Sequence, residues 1–479
     1  MAQAVQSRVF MRKTNEGWCY IDETLPPPDI YRNNDYGFKD SFLENVEPLA
    51  PMTQDEFLGH YVGRRRRVYE NAIKSLELYP LEESDAHCKC FLKKEKDIRS
   101  LKPDAIPRVI TFPDPRYGSE FGRFVKSIEK PFFKCIDGCF VKLGMEPVVA
   151  KGLNYREVGQ MIEKKWNKFV NPCSIDGDVS RLDSSITNDA QRMYHNLVQN
   201  FFYEQDLDEW FDLCSMQLDV PVTGKARNGG ISYMSSGLGS GQMNTSQMGV
   251  FVVCYILHAL IVKENLVLEL VNCGDDFTII GEECDVRRFQ KLAPQFFSTF
   301  NMVLKMEPIV REIEMIVFCQ TQPVYVDGCY RMVRDPCTAI VKDSTSIDNL
   351  DNITKRVKHL HAISCSGIAT HGGIPIFQDF YKSLARNSQS LRTLIKSKRG
   401  SKRSYHTSLK DCSMTYWGRN LVTRYNDQIT DRTRFSFYLA FDIDPVEQLY
   451  IESYYKDFNI SDVVITDNET LEEGDRIME

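Results

Sequence analysis

Two groups of acidic residues could do chemistry together. In VNCGDDFTII, Val271 to Ile280, the adjacent carboxylates Asp275 and Asp276 follow Gly274 and precede an apolar, β-rich run. The pattern predicts a strand–turn–strand hairpin with the acidic pair at its tip, the glycine permitting the turn. Paired hard oxygen ligands on a rigid tip suit Mg²⁺, which takes carboxylate and phosphate oxygens together. The second group lies in NPCSIDGDVSRLDSSIT, where Asp178 and Asp183 stand five apart with Ser180 and Arg181 between them. If a strand ends at Asp178 and the chain turns, Asp183 faces the same pocket. One carboxylate would then serve a metal and the other the sugar of an incoming nucleotide. Each group also has a bland alternative: Gly-Asp-Asp is an ordinary surface turn, and an acidic turn caps the helix that follows it.

Elements that position these groups can be read around them. Residues 1–50 carry few periodic signals and contain LPPP from Leu25 to Pro28, which predicts an extended N-terminal arm. From Glu56 the pattern turns helical and includes the run Arg64, Arg65, Arg66 and Arg67, which suits either RNA phosphates or a solvated helix face. Between Lys89 and Lys130 eleven Lys/Arg face six Asp/Glu, so a local positive excess hides inside a negative total. Pro103, Pro107, Pro113 and Pro115 predict that this block is extended rather than helical, as basic strands lining a phosphate channel would be. The stretch from Tyr155 to Phe169 has helical spacing, and 191–215 is helical and aromatic. A glycine-rich stretch, GKARNGGISYMSSGLGSGQMNTSQMG, reads as a flexible loop that runs into an apolar helix over Met248–Val262 and offers backbone N–H groups to phosphate or sugar. Residues 285–301 predict an amphipathic helix, Lys305 follows, and 317–336 predict a hairpin turning at Asp327-Gly328. Beyond 340 the pattern is mostly helical. It is interrupted by the basic segment KSKRGSKR (396–403) and ends in an acidic tail from Asp467.

Composition sets the limits. With 479 residues, 42% hydrophobic and 26% charged, the chain is globular rather than fibrous or disordered, and long enough for several subdomains. A net charge of −7 argues against nucleic-acid binding unless the charge is unevenly distributed, as it is here. Fifteen scattered cysteines without CxxC pairs argue against structural zinc and fit reduced thiols in a cytosolic setting. The opening MAQAVQSRVFMRK has no apolar stretch of the secretory kind. The run Met248–Val262 is too short to span a bilayer, so no transmembrane segment is expected and any membrane association would come through a partner or a surface not visible in the sequence.

The order of these signals (basic block, DxxxxD, glycine-rich loop into a helix, GDD hairpin, lysine, second hairpin, helical end) is that of a right-hand, template-directed polymerase. Two carboxylate loops on adjacent strands would hold two Mg²⁺ roughly 3.5–4 Å apart, and phosphoryl transfer asks mainly for positioning and charge neutralisation. The chain resembles the RNA-dependent RNA polymerases of tombusvirus- and carmovirus-like positive-strand RNA viruses from about Phe57 to Leu384. The resemblance is carried by FLKKEK (91–96), PRVITFPDPRY (107–117), GRFVK (122–126), DVSRLD (178–183), SGQMNT (240–245), NCGDD (272–276), VFCQTQPV (317–324) and GIPIFQDFY (373–381).

The resemblance implies an α+β right hand of fingers, palm with antiparallel sheet, and thumb, closed into a fingers–thumb ring. On this layout 1–170 would be N-terminal arm and fingers, 171–195 and 230–334 palm, 196–229 a fingers insertion, and 335–479 thumb and tail. It implies Asp178 and Asp275, assisted by Asp276, as ligands of Mg²⁺, with Mn²⁺ as a substitute. Asp183 would accept from the ribose hydroxyl. Ser240, Gly241 and Thr245, with Asn244 as a further candidate, would seat template and ribose. Lys93, Lys96, Arg108 and Arg116 would meet the triphosphate, and Lys305 is a candidate acid for pyrophosphate. Arg64, Arg65, Arg66, Arg67, Arg123 and Lys126 are candidate RNA contacts. The implied partners are RNA template, nascent RNA, NTPs and viral or host replication factors, in host cytoplasm on membrane-bound replication complexes. Two positions depart from the family pattern. Gly249 stands where relatives have Asn, and Asp176 stands where a small or apolar residue is usual, so it either adds a carboxylate near the metals or faces solvent. A reverse transcriptase is the first rival, disfavoured because a dNTP enzyme would place a bulky steric gate at Asp183. A non-catalytic RNA-binding protein is the second, disfavoured by the complete set of carboxylates.

Overall fold

A computed structural model of the chain describes residues 1–14, 17–20, 26–27, 29–93, 106–226, 229–346, 350, 353–396 and 428–459. Lys96, most of the basic segment 396–403 and the acidic tail lie outside them. The strands in chain order are β1 (Met11–Thr14), β2 (Gly17–Tyr20), β3 (Cys88–Leu92), β4 (Val109–Phe112), β5 (Pro172–Ser180), β6 (Val220–Ala226), β7 (Gly229–Ser235), β8 (Leu268–Asn272), β9 (Asp276–Glu282), β10 (Val303–Met306), β11 (Thr321–Val326) and β12 (Cys329–Arg334). The chain divides into two compact units, Met1–Gln320 and Thr321–Glu479.

The first unit holds two four-stranded sheets. One has the order β10-β5-β9-β8 and is antiparallel throughout; the other has the order β4-β3-β6-β7. Along β5 and β9 the side chains alternate between two environments, as the period of two requires. Ile175 pairs with Ile279 and Gly177 with Phe277; between them, Asp176 pairs with Thr278 and Asp178 with Asp276. Phe277 packs against Phe297 and Phe289 of the helix Glu283–Thr299, so the apolar members of the alternation face that helix and the acidic members face away from it. The expected apolar helix is Thr245–Glu264. It is apolar all round, and every residue from Gln247 to Ile261 is buried, so protein packs against its whole circumference. By length and composition it could cross a bilayer, but 83% of its apolar window is buried inside the fold.

Three expectations are corrected. The N-terminal region is not an extended arm. It forms the helices Ala2–Val5, Ile30–Asn33 and Phe38–Leu43 and the β1–β2 hairpin, and Phe38 and Phe42 are fully buried against Phe132, Phe201, Phe251 and Tyr255. Helices of four to six residues are too short to display a period in sequence. Among its described residues the basic block is extended in β3 and β4 but turns helical at Pro115. Pro115 opens the helix Pro115–Ser127 instead of excluding one, because proline at the first helical position forfeits no hydrogen bond, and Asp114 caps it by accepting from Arg116 N at 3.1 Å. The glycine-rich stretch is a loop only in its second half; its first half is the β6–β7 hairpin.

The second unit pairs β11 with β12 through the expected Asp327-Gly328 turn, with φ positive at both residues. Val324, Val326 and Val333 of this hairpin share an apolar core with Ile363, Phe377, Phe380, Tyr381 and Phe437 of the helices that follow. A hairpin grouped by sequence with the palm therefore packs with the helical end of the chain.

Candidate functional site

The GDD hairpin forms as expected. Gly274 has a φ of +92°, and the Cys273 amide donates to Asp276 O at 2.9 Å to close the turn. Asn272, fully buried, ties the turn from below: its side-chain amide donates to Gly274 O and accepts from Gly274 N, both at 3.0 Å. Backbone bonds from Asn272 N to Val148 O and from Ala150 N to Asn272 O, both at 2.8 Å, anchor the same residue to the preceding segment.

Register then brings the chemistry together. Asp178 sits directly opposite Asp276 on one side and Lys305 on the other, so the three side chains form a row across β10, β5 and β9. Neighbouring strands are about 4.8 Å apart. The Val179 amide also donates to Asp275 O at 3.0 Å, which fixes the tip of the hairpin against the end of β5. Arg181 then adopts the left-handed conformation (φ +56°) and starts the short helix Leu182–Ser185, which carries Asp183.

The electrostatics are those of crowded carboxylates. Burial, then repulsion from Asp275 and Asp178, pushes the Asp276 carboxyl up to about 6. Burial followed by repulsion from Asp275 raises Asp183 to about 6, against the opposing pull of the Arg108 guanidinium. Such a set gains from a cation. Among the described residues no three His, Cys, Asp or Glu side chains close into a cage. The donor set nevertheless fits Mg²⁺, which binds through one or two carboxylates and completes its shell with water and substrate phosphates.

A pH dependence follows. A raised folded-state pKa stabilises fully below the unfolded value near 4, and that stabilisation is lost as pH rises through about 6. In thermal melts of metal-free protein, the wild type should lose more stability between these pH values than Asp276→Asn. Groups shifted the other way, such as Glu283 and Glu146, are common to both proteins and cancel in the difference. Equal slopes would refute the raised proton affinity of Asp276.

Asp176 does not face solvent; it is buried on the same side of β5 as Asp178, within reach of the Asp276 charge, and its oxygens are engaged inside the protein. It is 6% exposed, accepts from Thr278 Oγ1 at 2.6 Å and Val317 N at 2.8 Å, and so ties β5 to β9 and to the segment after β10. Gly249 lies on the Thr245–Glu264 helix, where a Cβ would make only ordinary van der Waals contact with Leu182 Cδ2 at 3.4 Å and Gly274 Cα at 3.8 Å, so the helix passes close to the acidic turn without the spacing itself demanding glycine.

The serine loop rests on β4. Ser240 Oγ accepts from Thr111 N and donates to Val109 O, both at 3.3 Å, while Gly241 N donates to Thr111 O at 2.7 Å. A Cβ on Gly241 would lie 2.7 Å from Thr111 O and 2.9 Å from Phe112 Cβ, so the close approach requires glycine. Thr245 Oγ1 donates to Gly239 O at 2.8 Å. Asn244 is fully buried and exchanges hydrogen bonds with Gln217, within an amide cluster that also includes Gln242 and His195.

The cations are distributed unevenly. Lys93 and Arg108 are brought together where Lys93 N donates to Arg108 O at 2.9 Å, and Arg108 also acts on Asp183. Arg116 is engaged within its own helical layer: it donates to Asp85, Ser75 Oγ, Tyr79 O and Pro80 O, using most of a guanidinium's planar set of donors. Arg123 is held by Met52 O at 2.7 Å, Glu120 and Glu209. On the helix Gly63–Leu76, Arg64, Arg65 and Arg67 are exposed, whereas Arg66 bonds Glu70 and Leu58 O. Arg65 and Lys126 both lie over the Tyr61 ring, at 5.3 and 5.8 Å from its centroid.

Sequence reasoning missed Asn272 and the contacts of Arg181. Asn two residues ahead of a hairpin turn is a known side-chain-to-backbone signal that could have identified the first. The contacts of Arg181 span more than 160 positions and leave no local trace.

Comparison with known proteins identifies the family. The family model described as viral RNA dependent RNA polymerase matches residues 1–463. The RNA-directed RNA polymerase of Tobacco necrosis virus (strain A) is 32% identical over 474 residues, covering 98% of this chain and 62% of the relative. That of Melon necrotic spot virus is 32% identical over 85% of this chain and 50% of the relative. The one from Tomato bushy stunt virus (strain Cherry) is 30% identical over 87% and 48%. This chain thus spans at most about three fifths of these relatives' length, and it belongs to the tombusvirus/carmovirus-like family of viral RNA-dependent RNA polymerases.

Proposed function

We propose that this chain performs template-directed RNA synthesis by two-metal nucleotidyl transfer and replicates a positive-strand RNA genome. The observation that carries the reading is the register that sets Asp178 opposite Asp276, beside Asp275, with like-charge repulsion among them. Asp178, Asp275 and Asp276 would hold Mg²⁺, or Mn²⁺ in its place, which supplies charge neutralisation at the attacking hydroxyl and the pyrophosphate. Asp183 accepts a hydrogen bond from the ribose 2′-hydroxyl and so favours NTP over dNTP. Arg108 and Lys93 meet the triphosphate, and Lys305 delivers a proton to the leaving pyrophosphate. Ser240, Gly241 and Thr245 shape the loop on which template and ribose rest. The exposed arginines of Gly63–Leu76 contact RNA phosphates, which makes binding salt-dependent. The fingers and thumb close into a ring, and replication factors recruit the protein to membrane-bound complexes in the host cytoplasm.

Purified protein given a short RNA template, labelled NTPs and Mg²⁺ should incorporate label, lose incorporation on chelation, recover it with Mn²⁺ and use dNTPs poorly. Tight RNA binding without synthesis under any metal would instead identify a non-catalytic RNA-binding protein.

A further inference from the structure

Arg181 stands between the two aspartates of the DxxxxD segment, and its side chain reaches the N-terminal segment. Its guanidinium donates to the carbonyl oxygens of Ser7 and Met11, more than 160 positions earlier. These acceptors belong to a folded segment, the helix Ala2–Val5, a wide helical turn over Gln6–Phe10 and then β1. The segment is seated independently of Arg181. Ala4 and Val5 are buried, Met1 packs against the Cys88, Cys90, Val220 and Val222 cluster, and the Phe10 ring meets Tyr233 edge-on at 5.2 Å. Arg8 Nε donates to Ile106 O at 3.2 Å, two residues before Arg108.

The segment thus touches both chain stretches that flank Asp183. On one side it holds Arg181, whose own carbonyl accepts from Ser184 N at 3.1 Å and Ser184 Oγ at 3.0 Å and so shapes the turn that carries Asp183. On the other it holds the approach to Arg108, the cation that acts on Asp183. Arg181 is also at φ +56°, a conformation that costs a non-glycine residue energy and persists only where its surroundings impose it. The two carbonyls from the N-terminal segment are part of those surroundings.

We propose that Arg181 is a positioning residue for ribose recognition, and that docking of residues 1–11 sets it, so that this segment controls nucleotide selection from outside the reacting centre. The proposal rests on Asp183 being the ribose sensor.

Elongation kinetics with NTP and 2′-dNTP test it in Arg181→Gln, Arg181→Lys, Val5→Asp, Phe10→Ala and the Val5→Asp/Arg181→Gln double variant. Val5→Asp places a charge at a buried position and should undock the segment. Loss of charge-assisted hydrogen bonds should raise the NTP KM roughly tenfold in Arg181→Gln and Val5→Asp, with a smaller change in kcat. The preference for NTP over dNTP should narrow in both. The double variant should be no worse than the more affected single one, because both changes break the same contact. Arg181→Lys should recover part of the loss, since an ammonium can still donate to both carbonyls. Phe10→Ala, a milder undocking, should shift KM and preference in the same direction and covers the case in which Val5→Asp does not fold. Multiplying effects in the double variant, or undocked variants with wild-type KM and preference, would overturn the proposal. Asp183→Ala separates the two readings: if it leaves NTP preference intact the ribose assignment fails, while coupling between positions 5 and 181 in KM still reports on the segment.

Discussion

Asp275→Ala should cut template-dependent incorporation by roughly a thousandfold or more, the scale of losing a Lewis-acid site worth several kcal/mol, and at the same time leave the metal-free protein as stable as the wild type or more so. Asp275 is exposed at the tip of its hairpin, so its removal opens no cavity. Its charge is, however, a cause of the raised proton affinity of both Asp183 and Asp276. Deleting it relieves that repulsion and removes a proposed metal ligand in one step. Opposite signs for activity and stability are the signature of a site whose charges are held together for function at the expense of the fold. Steady-state incorporation and thermal melts in chelator check the two halves. Unchanged incorporation would refute the catalytic assignment, and a large drop in melting temperature would refute the electrostatic account.

The second large effect is expected at Gly177→Ala. A Cβ there would lie 2.3 Å from Cζ of Phe277, the residue directly opposite on β9. Phe277 is almost fully buried and stacked on Phe297, with ring centroids 6.0 Å apart, so it cannot move aside without disturbing the helix beneath. Overpacking of this kind costs about 1–3 kcal/mol. Here it also pushes apart the two strands that carry Asp178 and Asp276. Denaturant unfolding should show the loss, incorporation should fall with it, and Phe277→Leu in the same chain should restore part of both. A change within about 0.5 kcal/mol, the level of a surface substitution, would mean that the strands yield more easily than their packing indicates.

Much of this site was legible because it is local. Glycine before two aspartates between β-rich runs specifies a hairpin, and DxxxxD after an apolar strand specifies a turn. The wider fold was legible where an element was long enough to show a period, as in Thr245–Glu264 and Glu283–Thr299. It was hidden where elements are short, as around Phe38 and Phe42, or where glycine masks alternation, as in β6 and β7. Prolines misled because a residue that ends a helix from inside begins one at its first position, as Pro115 does. Long-range engagement was not readable at all. Nothing near Arg116 reveals that Asp85 and two carbonyls occupy it, and nothing near Asp176 reveals that Thr278 and Val317 do.

The alternation along β5 constrains how this protein can change over generations. Because Ile175 and Gly177 face the helix Glu283–Thr299 while Asp176 and Asp178 face away from it, a codon gained or lost within the strand would exchange the two sets downstream of the lesion. Carboxylates would enter the aromatic layer and apolar groups would line the nucleotide side. Substitutions here can be tested one at a time by selection, but changes of length cannot, so gaps in a lineage should accumulate in the connecting loops and leave the spacing from Pro172 to Asp178 intact.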